Sequence, residues 1–115
     1  KPGSDVALLN SMMNVIIEEK LYNKEYIKEH TIGFEELRDH LKRFTPEKME
    51  EKTGINPDTV REIARLFSKT NKGIIFWGMG ISQHIHGRGA LTTTHKAGVQ
   101  APHPHRVRVR ARSRR

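Results

Sequence analysis

The sequence predicts an α/β arrangement that is mostly helical, with several amphipathic helices followed by one buried strand and a glycine turn. Three observations carry that expectation. Apolar residues recur at helical spacing in successive stretches, each opened by a capping residue. An uninterrupted apolar run, Gly73-Ile74-Ile75-Phe76-Trp77, has the length of an interior strand. It stops on Gly78-Met79-Gly80, where two glycines in three residues allow a sharp turn and leave backbone N–H groups uncovered.

The first helix begins at Ser4-Asp5. A small polar side chain can accept from the free N–H groups of the first turn, and the carboxylate suits the positive end of the helix dipole. Val6, Leu9, Met13, Ile16 and Ile17 then share a face that Leu8, Met12 and Val15 widen, so this helix is expected to be buried over most of its circumference and to close at Leu21-Tyr22. Asn23 caps a short helix over 24–29, which Gly33 breaks. Phe34, Leu37, Leu41 and Phe44 mark the next helix, with Glu35 and Glu36 in its first turn and Lys42 and Arg43 in its last. Thr45-Pro46 opens a short helix that ends at Gly54, and Asn56-Pro57 opens the most amphipathic one, with Val60, Ile63, Ala64 and Phe67 on one face. Asn71-Lys72-Gly73 ends it and leads into the strand.

A lone interior strand leaves its backbone groups unpaired, which is costly when they are buried. The strand is therefore expected to pair with strands from elsewhere, making residues 1–87 part of a larger Rossmann-like domain that binds its ligand just past the strand's carboxyl end. By itself Gly78-Met79-Gly80 is also what an ordinary strand-to-helix turn looks like, since position 83 is Gln and the third glycine of a dinucleotide fingerprint is absent.

Composition narrows the function classes. The 115 residues suffice for one small domain, and the absence of cysteine excludes disulfides, thiolate metal sites and cysteine nucleophiles within the chain. No stretch approaches the roughly 20 apolar residues that span a bilayer, and the N-terminus lacks the apolar core of a signal peptide, so a cytoplasmic protein without membrane partners is expected. The chain opens on Lys1, which suggests a start inside a longer protein. Residues 1–87 hold 13 basic and 13 acidic residues, whereas 88–115 hold 8 basic residues and no acid, so the net charge of +8 belongs to the tail. That tail, ending Arg106-Val107-Arg108-Val109-Arg110, is expected to be disordered through self-repulsion. It is either a nucleic-acid or anionic-surface tail acting through counterion release, or a non-native end: a shift of reading frame, a truncation or an expression remnant. His84, His86, His95, His103 and His105 offer no four-ligand pattern with recognisable spacing.

Several ordered stretches resemble one family. Lys1-Pro2-Gly3-Ser4-Asp5-Val6-Ala7-Leu8-Leu9-Asn10 is similar to the Pro-Gly-Thr-Asp-x-Ala-Leu segment of molybdopterin-dependent oxidoreductases. Glu18-Glu19-Lys20-Leu21-Tyr22, Gly33-Phe34-Glu35-Glu36-Leu37, Phe44-Thr45-Pro46-Glu47, Thr53-Gly54-Ile55, Ile63-Ala64-Arg65 and Trp77-Gly78-Met79-Gly80-Ile81-Ser82-Gln83-His84 follow in the family's order. The resemblance covers about residues 1–87 and is nearest to formate dehydrogenase catalytic subunits, then to periplasmic nitrate reductases. It implies an internal part of a domain that grips one of two molybdopterin guanine dinucleotides around molybdenum or tungsten. Gly3, Ser4 and Asp5 fall where the family contacts the guanosine end, and Gly78, Met79, Gly80 and Gln83 fall on a second cofactor-contacting turn. The remaining domains of the parent enzyme and electron-transfer subunits are the implied partners.

The family's iron–sulfur cysteine motif, its metal-ligating cysteine or selenocysteine and the neighbouring histidine have no counterpart here. Catalytic and metal-ligand residues are therefore expected to lie outside this chain, which would contribute cofactor grip rather than bond-breaking groups. Two other readings stay open at the level of sequence: a small nucleic-acid-binding protein working through the Arg-rich tail, and a helical interaction module without a ligand.

Overall fold

The computed structural model describes residues 1–70, 73–76 and 79. Among them are five helices: α1 (Asp5–Glu18), α2 (Lys24–His30), α3 (Phe34–Leu41), α4 (Pro46–Thr53) and α5 (Pro57–Lys69). α1 is the hub and packs on α3, α4 and α5, while α4 also packs on α5. The sequence dictates this role, because α1 is apolar nearly all round and must bury more than one face. Met13 and Ile17 meet Leu41, with Tyr22, Phe34, Leu37 and Phe44 around them. Val15 and Ile16 meet Ala64, with Met12, Leu21, Tyr22 and Phe67 around them. Each fully buried aliphatic side chain contributes about 1.5–3 kcal/mol relative to exposure, so these two clusters supply most of the drive for assembly.

Helix ends follow local chemistry, although not always through the expected atoms. Asn23 Oδ1 accepts from Tyr26 N at 3.0 Å and Asn56 Oδ1 from Asp58 N at 2.9 Å, which starts α2 and α5. Pro46 and Pro57 occupy the first helical positions. Ser4 and Thr45 precede α1 and α4 but make no side-chain cap bond. α1 stops at Glu18 instead of reaching Tyr22, through a Schellman turn. Lys20 N donates to Ile17 O at 3.1 Å, Leu21 N donates to Ile16 O at 2.9 Å, and Leu21 packs beside Ile16. Lys20 sits in this turn at φ 55°, a left-handed conformation that glycine adopts more readily.

Buried polar groups tie the helices together. Asn14 is buried on α1, and its Nδ2 donates to Leu41 O at 3.0 Å, satisfying a carbonyl at the end of α3. Thr53 Oγ1 donates to Met49 O and accepts from Ile55 N. On the outside, Arg65 forks onto Glu19 at 2.8 and 2.7 Å, and Arg61 pairs with Glu47 and lies 3.5 Å from Asp58. α5 is thereby pinned to the end of α1 and to α4. The Arg65 hydrogen bond holds the Glu19 carboxyl below its ordinary range, and the Arg61 hydrogen bond does the same for Glu47.

The expected buried strand is overturned. Among the described residues there is no strand, and residues 73–76 carry no regular secondary structure. Ile74 is 70% and Phe76 88% exposed. Among the described residues no second extended segment lies alongside to pair with this backbone. The described architecture is all-helical, not α/β or Rossmann-like. Trp77, Gly78, Gly80 and the histidine-bearing, arginine-rich residues 81–115 lie outside the described residues.

Three outcomes follow. Lys20→Gly raises stability by about 1 kcal/mol in urea melts, because it removes the cost of a left-handed Lys. Asn14→Ala lowers it by about 1–3 kcal/mol, because the Leu41 carbonyl loses its donor. Glu19 and Glu47 have lowered pKa values, so their contribution is present above the ordinary glutamate value of 4.5 and is lost as pH falls through the lowered values. Thermal melts from about pH 6 to about pH 3 should therefore show a smaller acid loss for Glu19→Gln than for the unaltered chain.

Candidate functional site

Residues 1–5 form a tethered turn at the entrance to α1. The Lys1 nitrogen donates to Thr53 O at 2.8 Å, and Lys1 Nζ donates to Glu51 O at 2.6 Å. Both acceptors are carbonyls at the C-terminal end of α4, where the helix dipole favours a cation. Ser4 Oγ turns back and donates to Lys1 O at 2.5 Å, which is why it does not cap α1. Gly3 has φ 74°, a left-handed conformation that a side chain would strain. Gly54 closes α4 at φ 72°, and a Cβ there would come within 3.3 Å of Lys1 Cγ. The Lys1 side chain thus lies over the end of α4 in a space that glycine leaves open.

Asp5 is the first residue of α1, and its side chain is exposed. Among the described residues its carboxylate has no hydrogen-bond or ion-pair partner. Its backbone, in contrast, is held from both sides. Leu8 N donates to Ser4 O at 2.9 Å to begin α1, whose next turns are buried in the core. An unpartnered carboxylate on a fixed backbone can accept two parallel N–H donors from a ligand with no rearrangement of the fold.

The structure holds Gly3, Ser4 and Asp5 on one anchored turn, with Ser4 engaged internally and the Asp5 carboxylate exposed and without a partner among the described residues. Met79 is 70% exposed. Gly78, Gly80 and Gln83, the other expected contacts, lie outside the described residues. No group of three or more His, Cys, Asp or Glu among the described residues could hold a metal ion. No helix among them is long and apolar enough to cross a membrane. Sequence reasoning missed the role of Lys1, Thr53 and Gly54 in placing the turn. The partners are 50 and 52 residues apart and no periodicity links them; the only signal was a glycine at the end of α4.

No protein-family model matches the chain. Individual proteins do. It is 44% identical over 87 residues to formate dehydrogenase H of Escherichia coli (strain K12), covering 76% of this chain and 12% of that protein. It is 40% identical over 90 residues to the F420-dependent formate dehydrogenase subunit alpha of Methanocaldococcus jannaschii, covering 78% of this chain and 13% of that one. Among solved structures it is similar to acetylene hydratase from Pelobacter acetylenicus, with a TM-score of 0.80 and 29% identity over 89% of this chain and 14% of the other. The chain spans about an eighth of the length of the curated relatives it matches. By these matches, the chain is homologous to a small part of several molybdopterin oxidoreductases, formate dehydrogenase alpha subunits among them.

Proposed function

We propose that this chain supplies part of the grip on a molybdopterin guanine dinucleotide in a molybdenum or tungsten oxidoreductase resembling formate dehydrogenase. The observation that carries this reading is the exposed Asp5 carboxylate, without a partner among the described residues, on the turn held by Lys1, within a stretch 44% identical to formate dehydrogenase H. The residues present fit the guanine end of such a cofactor. Asp5 accepts from the guanine N1–H and amino group together, and Gly3 keeps the approach to the backbone clear of a side chain. Ser4 acts indirectly, by tying Lys1 O and so fixing the turn. Gly78, Met79, Gly80 and Gln83 form a second contact, where an amide that both donates and accepts suits a pterin edge or its phosphates.

In the complete enzyme the bound metal cofactor supplies two-electron chemistry, with formate oxidised to CO2. On this reading the chain's work is binding and orientation, and the catalytic and metal-ligating residues lie in the rest of the enzyme. Its partners are the remaining domains of such an enzyme and the subunits that carry electrons away.

Titration of the chain with a guanine nucleotide, followed by amide NMR, tests the reading. The Asp5 and Gly3 signals shift, and a cytosine nucleotide leaves them in place. Asp5→Asn weakens guanine binding by about tenfold or more, the scale of a lost hydrogen bond to a charged group, while the melting temperature is retained because the side chain is exposed. Equal shifts with both nucleotides, or none with either, would refute the assignment.

A further inference from the structure

The first turn of α1 is the part of that helix with the least support from the core. Burial on α1 begins only at Asn10; Val6, Ala7, Leu8 and Leu9 are half-buried and Asp5 is exposed. No side chain caps this helix, and an uncapped first turn frays. The end of α4 is better held. Met49 and Thr53 are buried, and Gly54 N donates to Glu50 O at 2.7 Å to close the last turn.

Lys1 joins the two. Its Nζ donates to Glu51 O at 2.6 Å and its nitrogen to Thr53 O at 2.8 Å, both carbonyls of that last turn. Its own carbonyl accepts from Ser4 Oγ at 2.5 Å. An ammonium at a helix C-terminus also meets the negative end of the dipole. The contacts therefore run from the buried end of α4, through Lys1, to Ser4, the residue before Asp5. We infer that Lys1 is a positioning residue. Its ammonium, seated on the end of α4, steadies the first turn of α1, so that the Asp5 carboxylate is already in place when a guanine nucleotide arrives. Lys1 itself acts without touching the nucleotide. The inference rests on the reading of Asp5 as a guanine contact. Apparent affinity falls with the fraction of molecules in which the turn is seated. The attraction of a cation to an exposed helix end corresponds to a factor of about two to five, which bounds the effect.

Amide NMR of the full 115-residue chain and its Lys1→Met and Lys1→Arg variants tests it. Met keeps apolar bulk over Gly54 and drops the charge, whereas Arg keeps the charge and the donors. Without nucleotide, the heteronuclear NOE of Gly3, Ser4 and Asp5 falls in Lys1→Met towards that of mobile backbone and returns in Lys1→Arg, with α5 unchanged in both. With guanosine monophosphate, the Kd rises about twofold to fivefold in Lys1→Met and is restored in Lys1→Arg. If Lys1 only caps α4, hydrogen exchange at Gly54 quickens in Lys1→Met while the NOE at residues 3–5 and the nucleotide affinity stay the same, and the inference is overturned. An NOE that is equal in all three chains overturns it as well, whether or not nucleotide binds. Loss of order at residues 3–5 in Lys1→Met, with no chain binding the nucleotide, supports the positioning of Asp5 and refutes the guanine reading alone.

Discussion

The burial of α1 on three sides is the constraint on which the rest of the structure depends. A helix with Met13, Val15, Ile16 and Ile17 spread around little more than one turn cannot present one face to a core and another to water. α3, α4 and α5 are arranged around it for that reason. The same burial forces polar positions on α1 to find partners. Asn14 does so by closing the end of α3, which makes it both a core residue and a helix cap for a neighbour. Ser11 is the exception: it is fully buried, and its hydroxyl has no partner among the described residues. α1 also ends where its packing requires, at a left-handed Lys20 that turns Leu21 back onto Ile16.

Much of the helical framework was legible in the sequence, because caps and breakers act locally. Asn23, Pro46, Gly54, Asn56 and Pro57 each mark a boundary within a residue or two, and each mark rests on a bond or a conformation that its neighbours supply. Ser4 looked like the same signal and was not: its hydroxyl turns back to donate to Lys1 O instead of accepting from the N–H groups of α1, a bond that exists only once the turn has formed. The run at 73–77 misled for a different reason. Apolar periodicity reports a need for burial, whereas a strand also needs a backbone partner, and no partner is present among the described residues. Ile74 and Phe76 are consequently exposed despite their composition.

The candidate site was legible in part. Gly3, Ser4 and Asp5 could be singled out by likeness to a family motif, but nothing in the sequence shows what keeps them in place. That depends on contacts between the start of the chain and the end of α4, which belong to the folded molecule alone. An exposed carboxylate on an untethered segment would lose orientational freedom on meeting a ligand, and affinity would fall accordingly. Here the neighbouring backbone is already fixed by α1 on one side and by α4 on the other.

The Gly54 position carries a consequence for how this region would tolerate change. Its missing side chain leaves the space that the Lys1 methylenes fill. A methyl group there would press on Lys1 and, through the bonds from Lys1 to Thr53 and Ser4, on the geometry around Asp5. A residue that never meets the ligand would thus act as a distant governor of recognition, and drift at position 54 would be filtered by binding as well as by folding.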